Sequence, residues 1–133
     1  MAAQLVDLHL HSTFSDGRYT PTMLVDEAVA KGIGVIAITD HDSWNGMAEA
    51  REAAKRYGGR IRVLTGVELG TQYEDDAVHI LGYHVSMECE ALHKKMDEMR
   101  HAREHRLYAM LEKLDKLGYH VEVDSCDPKN RAV

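Results

Sequence analysis

Histidines and carboxylates recur along this chain close to the ends of predicted strands. The candidates are His9, His11, Asp16, His41, Glu68 and His79. Imidazole and carboxylate groups are ligands of zinc, manganese and iron, so a hydrolytic metal centre is the first hypothesis. Side chains of a strand alternate between its two faces, so His9 and His11 share one face and both rings can reach one ion.

The composition is that of an ordinary globular chain. It has 133 residues, of which 44% are hydrophobic and 29% are charged, and this predicts one domain over residues 1–133. A formal charge of -6 argues against a surface that coats nucleic acid, although a local basic patch stays open. Signal-peptide and membrane-spanning patterns are missing, and Cys89 and Cys126 form no CxxC pair, so we expect a cytoplasmic protein without membrane contact.

The elements that must position the candidate ligands alternate between strands and helices. We predict strands at 5–10, 34–39, 61–69 and 77–85, with a helix from Thr20-Pro21 to Gly32 and another, capped by Asp42 or Ser43, to about Tyr57. Such alternation predicts a parallel sheet with right-handed crossovers. In parallel α/β folds the chemistry gathers beyond the carboxyl ends of the strands, where the candidate ligands would converge.

A long helix is predicted from about Glu88 to Leu117, and its apolar stripe is interrupted by Arg103 and Arg106. These two arginines could offer guanidinium groups to a substrate phosphate. A solvated helix face paired with neighbouring glutamates explains them equally well. The polar, turn-rich sequence at 124–133 predicts a mobile tail.

Asp40 and Asp42 flank His41, and we expect each to hydrogen-bond a ligand imidazole or to cap a helix. Trp44 could stack on a base at the mouth of the site. Packing of the second helix is the simpler interpretation of this side chain and the one that we prefer.

Five motifs in order carry a family resemblance. They are Asp7-Leu8-His9-Leu10-His11-Ser12, Ser15-Asp16-Gly17, Ile38-Thr39-Asp40-His41-Asp42, Gly66-Val67-Glu68 and Val78-His79-Ile80-Leu81-Gly82. Over residues 5–118 the chain resembles the amino-terminal half of a PHP (polymerase and histidinol phosphatase) domain of the small bacterial phosphoesterase branch. The resemblance implies an α/β fold, namely part of a distorted (β/α)7 TIM-like barrel with about four strands, covering helices and a long C-terminal helix.

The resemblance also implies a site with two or three divalent ions, zinc, manganese or iron. His9, His11 and Glu68 would hold one ion, Glu68 would bridge to a second that also takes His79, and Asp16 and His41 would bind a third. Further family ligands, a later histidine and an Asp-x-His, have no counterpart here after the first helix, so we expect the sequence to be a piece of a longer protein.

We therefore expect a metal-dependent phosphoric ester hydrolase in which activated water attacks a nucleotide, an oligonucleotide end or a small sugar-type phosphate. Glu68 and His41 are the expected catalytic residues, and Arg103 and Arg106 the expected phosphate-binding residues. A non-catalytic, metal-stabilised PHP module and an inactive fragment of such an enzyme are the alternatives. An open sheet edge and the long helix also predict possible self-association.

Overall fold

The computed structural model describes residues 5–121; residues 1–4 and 122–133, with Cys126 and the predicted tail at 124–133, lie outside the described residues. Its elements are β1 (Leu5–Leu10), α1 (Pro21–Ala30), β2 (Ile33–Ile38), α2 (Met47–Lys55), β3 (Arg62–Tyr73), β4 (Asp76–Tyr83) and α3 (Glu90–Lys116). The strands form one sheet in the order β1-β2-β3-β4, curled into half of a barrel, and this confirms the predicted α/β class.

The sheet combines parallel and antiparallel pairing. β1 pairs with β2 and β2 with β3 in parallel, which confirms the pairing predicted from the alternation of strands and helices. β4 instead folds back on β3 as an antiparallel hairpin, with Tyr73 opposite Asp76 at the turn. The hairpin extends β3 past the predicted end at residue 69, so Glu68 lies inside a strand.

The core lies between β2 and the helices α1 and α2. Val35 to Ile38 of β2 are buried on both faces of the sheet, as a strand covered by helices must be. α1 begins as predicted, with the Thr20 hydroxyl accepting from the amide of Met23 and Pro21 in the first turn. The apolar face of α1 contributes Leu24, Val25 and Ala28 to the core, with Val29 partly buried against it.

The second helix begins later than predicted. α2 starts at Met47 with Gly46 as its N-cap, so the prediction of a cap at Asp42 or Ser43 is wrong. Asp42 has a positive φ of 48°, which breaks the helical path, and the Ser43 hydroxyl accepts from the amide of Asn45 in a local turn. Trp44 is buried in the core with its ring 4.7 Å from that of His93, which agrees with the packing role.

The long helix α3 has 27 residues, but little of its apolar stripe is covered. Met96 is its buried residue, and Leu92 packs at the edge of the core. Towards the end of the helix, Met110, Leu114 and Leu117 are exposed. Across residues 5–121, none of the helices combines the length and the apolar character that crossing a membrane requires.

Candidate metal centre

The six predicted ligands come together at the end of the sheet where β1 and β2 finish. His9 lies on β1 and His11 just after it, Asp16 lies in the following loop, His41 follows β2, and Glu68 and His79 lie on the β3–β4 hairpin. Neighbouring histidine rings, from His9 through His11 and His41 to His79, have centroids 4.8 to 5.1 Å apart.

Glu68 is the centre of the cluster. Its Oε2 atom lies 3.0 Å from Nε2 of His9 and 3.0 Å from Nε2 of His11, and its Oε1 atom lies 2.6 Å from Nδ1 of His79. Nε2 of His41 is 4.0 Å from Oε2 of Glu68 and 3.7 Å from Oδ2 of Asp16. The remaining contact joins Nδ1 of His11 to Oδ1 of Asp16 at 3.1 Å.

Among residues 5–121, three groups of three side chains could each hold an ion: His9 with His11 and Glu68, His11 with Asp16 and His41, and His41 with Glu68 and His79. Three residues occur in two groups each, and we call them the floor: His11, His41 and Glu68. The others occur once, and we call them the rim: His9, Asp16 and His79. Every group therefore combines two floor residues with one rim residue.

Burial follows the same division. The floor side chains are 21%, 10% and 6% exposed for His11, His41 and Glu68, whereas the rim side chains are 41% to 51% exposed. Backbone pairing fixes two of the floor residues, because the amide of Asp42 donates to the carbonyl of Glu68 and the amide of Glu68 donates to that of Asp40. The floor is thus built into the sheet, and the rim faces the opening.

The spacing of these atoms suits metal ions. Two ligands at ~2.1 Å from a tetrahedral ion stand ~3.4 Å from each other, and the floor contacts of 3.0 to 4.0 Å bracket this value. Nδ1 of His41 is buried and, within residues 5–121, has no hydrogen-bond partner. The donor set of imidazoles and carboxylates fits zinc, manganese or iron.

Burial and neighbouring charges shift the pKa values of two residues in the cluster, His41 and Glu68. Burial lowers the pKa of His41 below its ordinary 6.5 and outweighs the carboxylates of Glu68 and Asp16, which act in the opposite direction. Burial acts to raise the pKa of Glu68, but the contacts with four histidines together hold that pKa below its ordinary 4.5. Both shifts leave the groups in the states that bind a cation, neutral imidazole and carboxylate.

The loop that carries Asp16 is held by Asp40. This buried carboxylate accepts from the Ser12 amide, the Ser12 hydroxyl and the Ser15 hydroxyl, each at 2.6 Å. Ser15 Oγ in turn lies 3.4 Å from Nδ1 of His11. The expectation that Asp40 bonds an imidazole or caps a helix is therefore wrong, because its two oxygens are used by the serines of the loop.

Gly17 belongs to the same loop for a steric reason. A Cβ atom there would lie 2.0 Å from the carbonyl oxygen of His11, so any larger residue would displace the ligand loop. The structural roles of Ser12, Ser15 and Gly17 were not predicted, although all three stand inside the motifs beside His11 and Asp16.

A cavity of about 780 Å³ opens beside the centre, between the hairpin and α3. Its lining includes Asp16, His41, Asp42, Gly70, Thr71, Gln72, Asp75, Ala77, His79, Met99, Ala102, Arg103 and Arg106. Both predicted phosphate-binding arginines thus share one cavity with rim and floor ligands. Asp42, expected to cap a helix or bond an imidazole, instead accepts from the Gly70 amide and from Arg103.

The chain is similar to known proteins over most of its length. The model of the PHP domain family matches residues 7–125. A 5'-3' exoribonuclease of Haemophilus influenzae is 40% identical over 112 residues, which cover 84% of this chain and 40% of that protein. A 3',5'-nucleoside bisphosphate phosphatase of Chromobacterium violaceum is 39% identical over 113 residues, covering 85% of this chain and 39% of the relative. The chain spans less than half the length of these relatives.

Solved structures show the same half-barrel. A protein of Bifidobacterium adolescentis, described as a candidate metal-dependent phosphoesterase, superposes with a TM-score of 0.84 at 32% identity, over 98% of this chain and 46% of that one. An amidohydrolase from Chromobacterium violaceum, solved with bound sulfate and no metal, superposes with a TM-score of 0.82 at 36% identity, over 96% of this chain and 45% of that one.

Proposed function

The chain belongs to the PHP domain family, and from this premise we propose that it acts as a metal-dependent phosphoesterase. The observation that carries the proposal is the buried carboxylate of Glu68, within hydrogen-bond distance of His9, His11 and His79 and 4.0 Å from His41. An ordinary buried acid pairs with one cation or with backbone amides, whereas the carboxylate of Glu68 is surrounded by several imidazoles. It is the arrangement of a bridging metal ligand.

The proposed metal ligands are the floor and rim residues, with two to three divalent ions of zinc, manganese or iron. Bound ions would polarise a phosphoryl oxygen and lower the pKa of a water molecule enough for attack at neutral pH. Glu68 and His41 are the proposed catalytic residues because both stand in two of the three ligand groups and, at 6% and 10% exposed, they are the two most buried side chains of the floor. They also occupy the buried side of the cluster, where they can orient the reacting atoms.

Arg103 and Arg106 are the proposed phosphate-binding residues. They lie one helical turn apart on α3, and both line the cavity that also contains His41 and His79. Guanidinium groups beside a metal centre neutralise the charge of a phosphoryl group and orient it. The bound sulfate of the Chromobacterium violaceum structure is a tetrahedral oxyanion like phosphate, and this supports a phosphate ester as the substrate.

The relatives narrow the substrate class. One is a ribonuclease that acts from the 5' end, and another is a phosphatase of 3',5'-nucleoside bisphosphates. Both names describe phosphate esters of a nucleoside, so we propose a nucleotide or an oligonucleotide end as the substrate here. A small sugar-type phosphate is the second candidate, since a phosphoribosyl 1,2-cyclic phosphate diphosphodiesterase of Eggerthella lenta is 33% identical over 129 residues.

Residues 1–133 are proposed to form the amino-terminal part of one PHP domain, and the reaction is proposed to occur in the cytoplasm. The comparisons give no support for the predicted self-association, which therefore forms no part of this function.

The test combines metal content with hydrolysis. The chain is purified without added metal and measured by elemental mass spectrometry beside a Glu68→Ala variant. It is then assayed with Mn²⁺, Zn²⁺ or Fe²⁺ against 5'-phosphorylated oligonucleotides, nucleoside bisphosphates and ribose phosphates. Metal binding and hydrolysis that are both lost in the variant would support the proposal. Metal retention without hydrolysis of any substrate would favour the alternatives, a non-catalytic module or an inactive fragment of such an enzyme.

A further inference from the structure

Asp42 is a buried carboxylate that contacts no member of the metal cluster through its side chain. The side chain is fully buried, and within residues 5–121 each of its oxygens has one hydrogen-bond partner. Oδ1 accepts from the amide of Gly70 at 3.1 Å, and Oδ2 accepts from Nη2 of Arg103. The backbone carbonyl of Asp42 also accepts from Nη1 of Arg100 at 3.2 Å. One residue therefore ties the hairpin to two arginines of α3.

Arg103 is placed by this contact at the edge of the cavity. Its side chain is 26% exposed, and it lines the cavity together with His41 and His79. A guanidinium has five N–H donors, so the contact at Nη2 leaves donors for a phosphate oxygen. A free arginine loses conformational entropy when it binds a ligand, whereas one already fixed has lost it on folding.

Gly70 completes the arrangement. A Cβ atom at this position would lie 3.1 Å from Nη2 of Arg103 and 3.8 Å from Oδ2 of Asp42. The missing side chain lets the guanidinium lie against the backbone of β3 while the amide of the same residue holds the carboxylate. Substitution of Gly70 would therefore move Arg103 without changing the charge of the site.

We propose that Asp42 is a positioning residue, which fixes the guanidinium of Arg103 to receive a phosphate oxygen of the substrate. This inference rests on the proposed phosphoesterase function. Charge alone makes the opposite prediction, because the negative charge of Asp42 repels an anion in the cavity and its removal would strengthen anion binding. Positioning predicts that removal of Asp42 weakens anion binding, so the sign of the effect decides between the two.

The test is calorimetric titration of the Mn²⁺-loaded chain with inorganic phosphate. Asp42→Asn keeps the size of the side chain but turns one oxygen into an NH₂ group, which only donates, so Gly70 and Arg103 no longer each have an acceptor oxygen. We expect phosphate affinity to fall about tenfold, which is ~1.4 kcal/mol. Gly70→Ala should weaken binding in the same direction. In an Arg103→Gln background, Asp42→Asn should have no further effect, whereas in an Arg106→Gln background its effect should persist.

Metal content is measured for each variant, because Asp42 is next to His41. If Asp42→Asn loses metal, the Gly70→Ala variant serves as the test instead. A Gly70→Ala variant that keeps its full metal content and an unchanged phosphate affinity overturns the inference. The inference is also overturned if an Asp42→Asn variant with full metal content binds phosphate as tightly as the wild type or more tightly. It is overturned as well if Asp42→Asn weakens phosphate binding equally with and without Arg103. A second readout needs no ligand. The guanidinium NMR signal of Arg103, assigned by its loss in Arg103→Gln, should show restricted rotation in the wild type and free rotation in Asp42→Asn.

The outcomes separate the two proposals. If the loaded wild-type chain binds no phosphate, the proposed function fails and the positioning role falls with it. If the wild type binds phosphate and Arg103→Gln weakens binding while Asp42→Asn does not, only the positioning role is wrong.

Discussion

The division into floor and rim predicts that two chemically identical substitutions have unequal effects on metal binding. Glu68→Gln and Asp16→Asn each change one acid to its amide, with little change in shape. Glu68 belongs to two ligand groups and Asp16 to one. Glu68→Gln should therefore weaken the binding of two ions, whereas Asp16→Asn should weaken the binding of one.

The magnitude follows from binding linkage. An ion supplied at 100 times its dissociation constant stabilises the folded chain by about 2.7 kcal/mol per site. For a chain of this size 1 kcal/mol corresponds to roughly 4 °C in Tm. If the sites bind independently, Asp16→Asn should remove about 11 °C of the metal-induced rise in Tm, and Glu68→Gln about 22 °C.

The assay is thermal unfolding with and without Mn²⁺, accompanied by metal content from elemental mass spectrometry. The metal-free Tm of each variant separates damage to the fold from loss of ions. Asp26→Asn is the control, because Asp26 pairs with Arg56 outside the ligand groups and its substitution should leave the metal content unchanged. Equal losses in the two acid variants would refute the shared-ligand arrangement, and full metal retention by Glu68→Gln would exclude Glu68 as a ligand.

Three further predictions concern the metal-free chain. The pKa of His41 in the folded chain lies below 6.5, so the neutral imidazole contributes its full stability above pH 6.5, and this contribution is lost as the pH falls. The Tm difference between wild type and His41→Asn should therefore shrink from pH 7 to pH 5. A difference that stays constant would contradict this prediction. The lowered pKa of Glu68 gives a contribution present above pH 4.5 and lost below it, so wild type and Glu68→Gln should converge in Tm under acid. Asp40→Asn should lower the free energy of unfolding, measured in urea, by about 2–4 kcal/mol, because three buried hydrogen bonds depend on that carboxylate. Asp26→Asn, at an exposed position, should lower it by less than ~1 kcal/mol. Equal losses in the two variants would show that the serine contacts contribute little.

Local sequence pattern predicted the three parallel strands and the place where the ligands meet. The run from Val35 to Ile38 is apolar at every position, and such a run has one stable location, inside a covered sheet. Because His9 lies near the end of one predicted strand and His11 and His41 closely follow predicted strands, parallel pairing alone brings them to one edge. This part of the centre required no knowledge of distant contacts.

The errors occur where distant partners decide the structure. Asp42 precedes a helical sequence and has the chemistry of a cap, but its partners, Gly70 and Arg103, are 28 and 61 residues away. The same holds for Asp40, whose serine partners precede it by 28 and 25 residues. Nothing in the neighbourhood of either aspartate indicates which of several possible donors it will meet.

The hairpin was missed for a related reason. Its two-residue turn contains Glu74 at a φ of 54°, a conformation for which glycine or asparagine is the usual signal. The turn is imposed by the strands, since eight residue pairs from Gly66–Tyr83 to Tyr73–Asp76 hold β3 against β4. This pairing sets Gly70 opposite His79 and so brings the last rim ligand over Glu68.

The floor and rim residues of the candidate centre are positioned in different ways. Floor residues are held by the sheet, through the backbone pairing of His41 with Glu68, and by the Asp40 network beside His11. These contacts are formed on folding, so ions that bind there need little rearrangement of the protein. Rim side chains are 41% to 51% exposed, which gives them room to adjust, and two of them, Asp16 and His79, line the cavity. A site with a fixed carboxylate at its base and adjustable ligands at its opening can hold its ions while the groups around a substrate move.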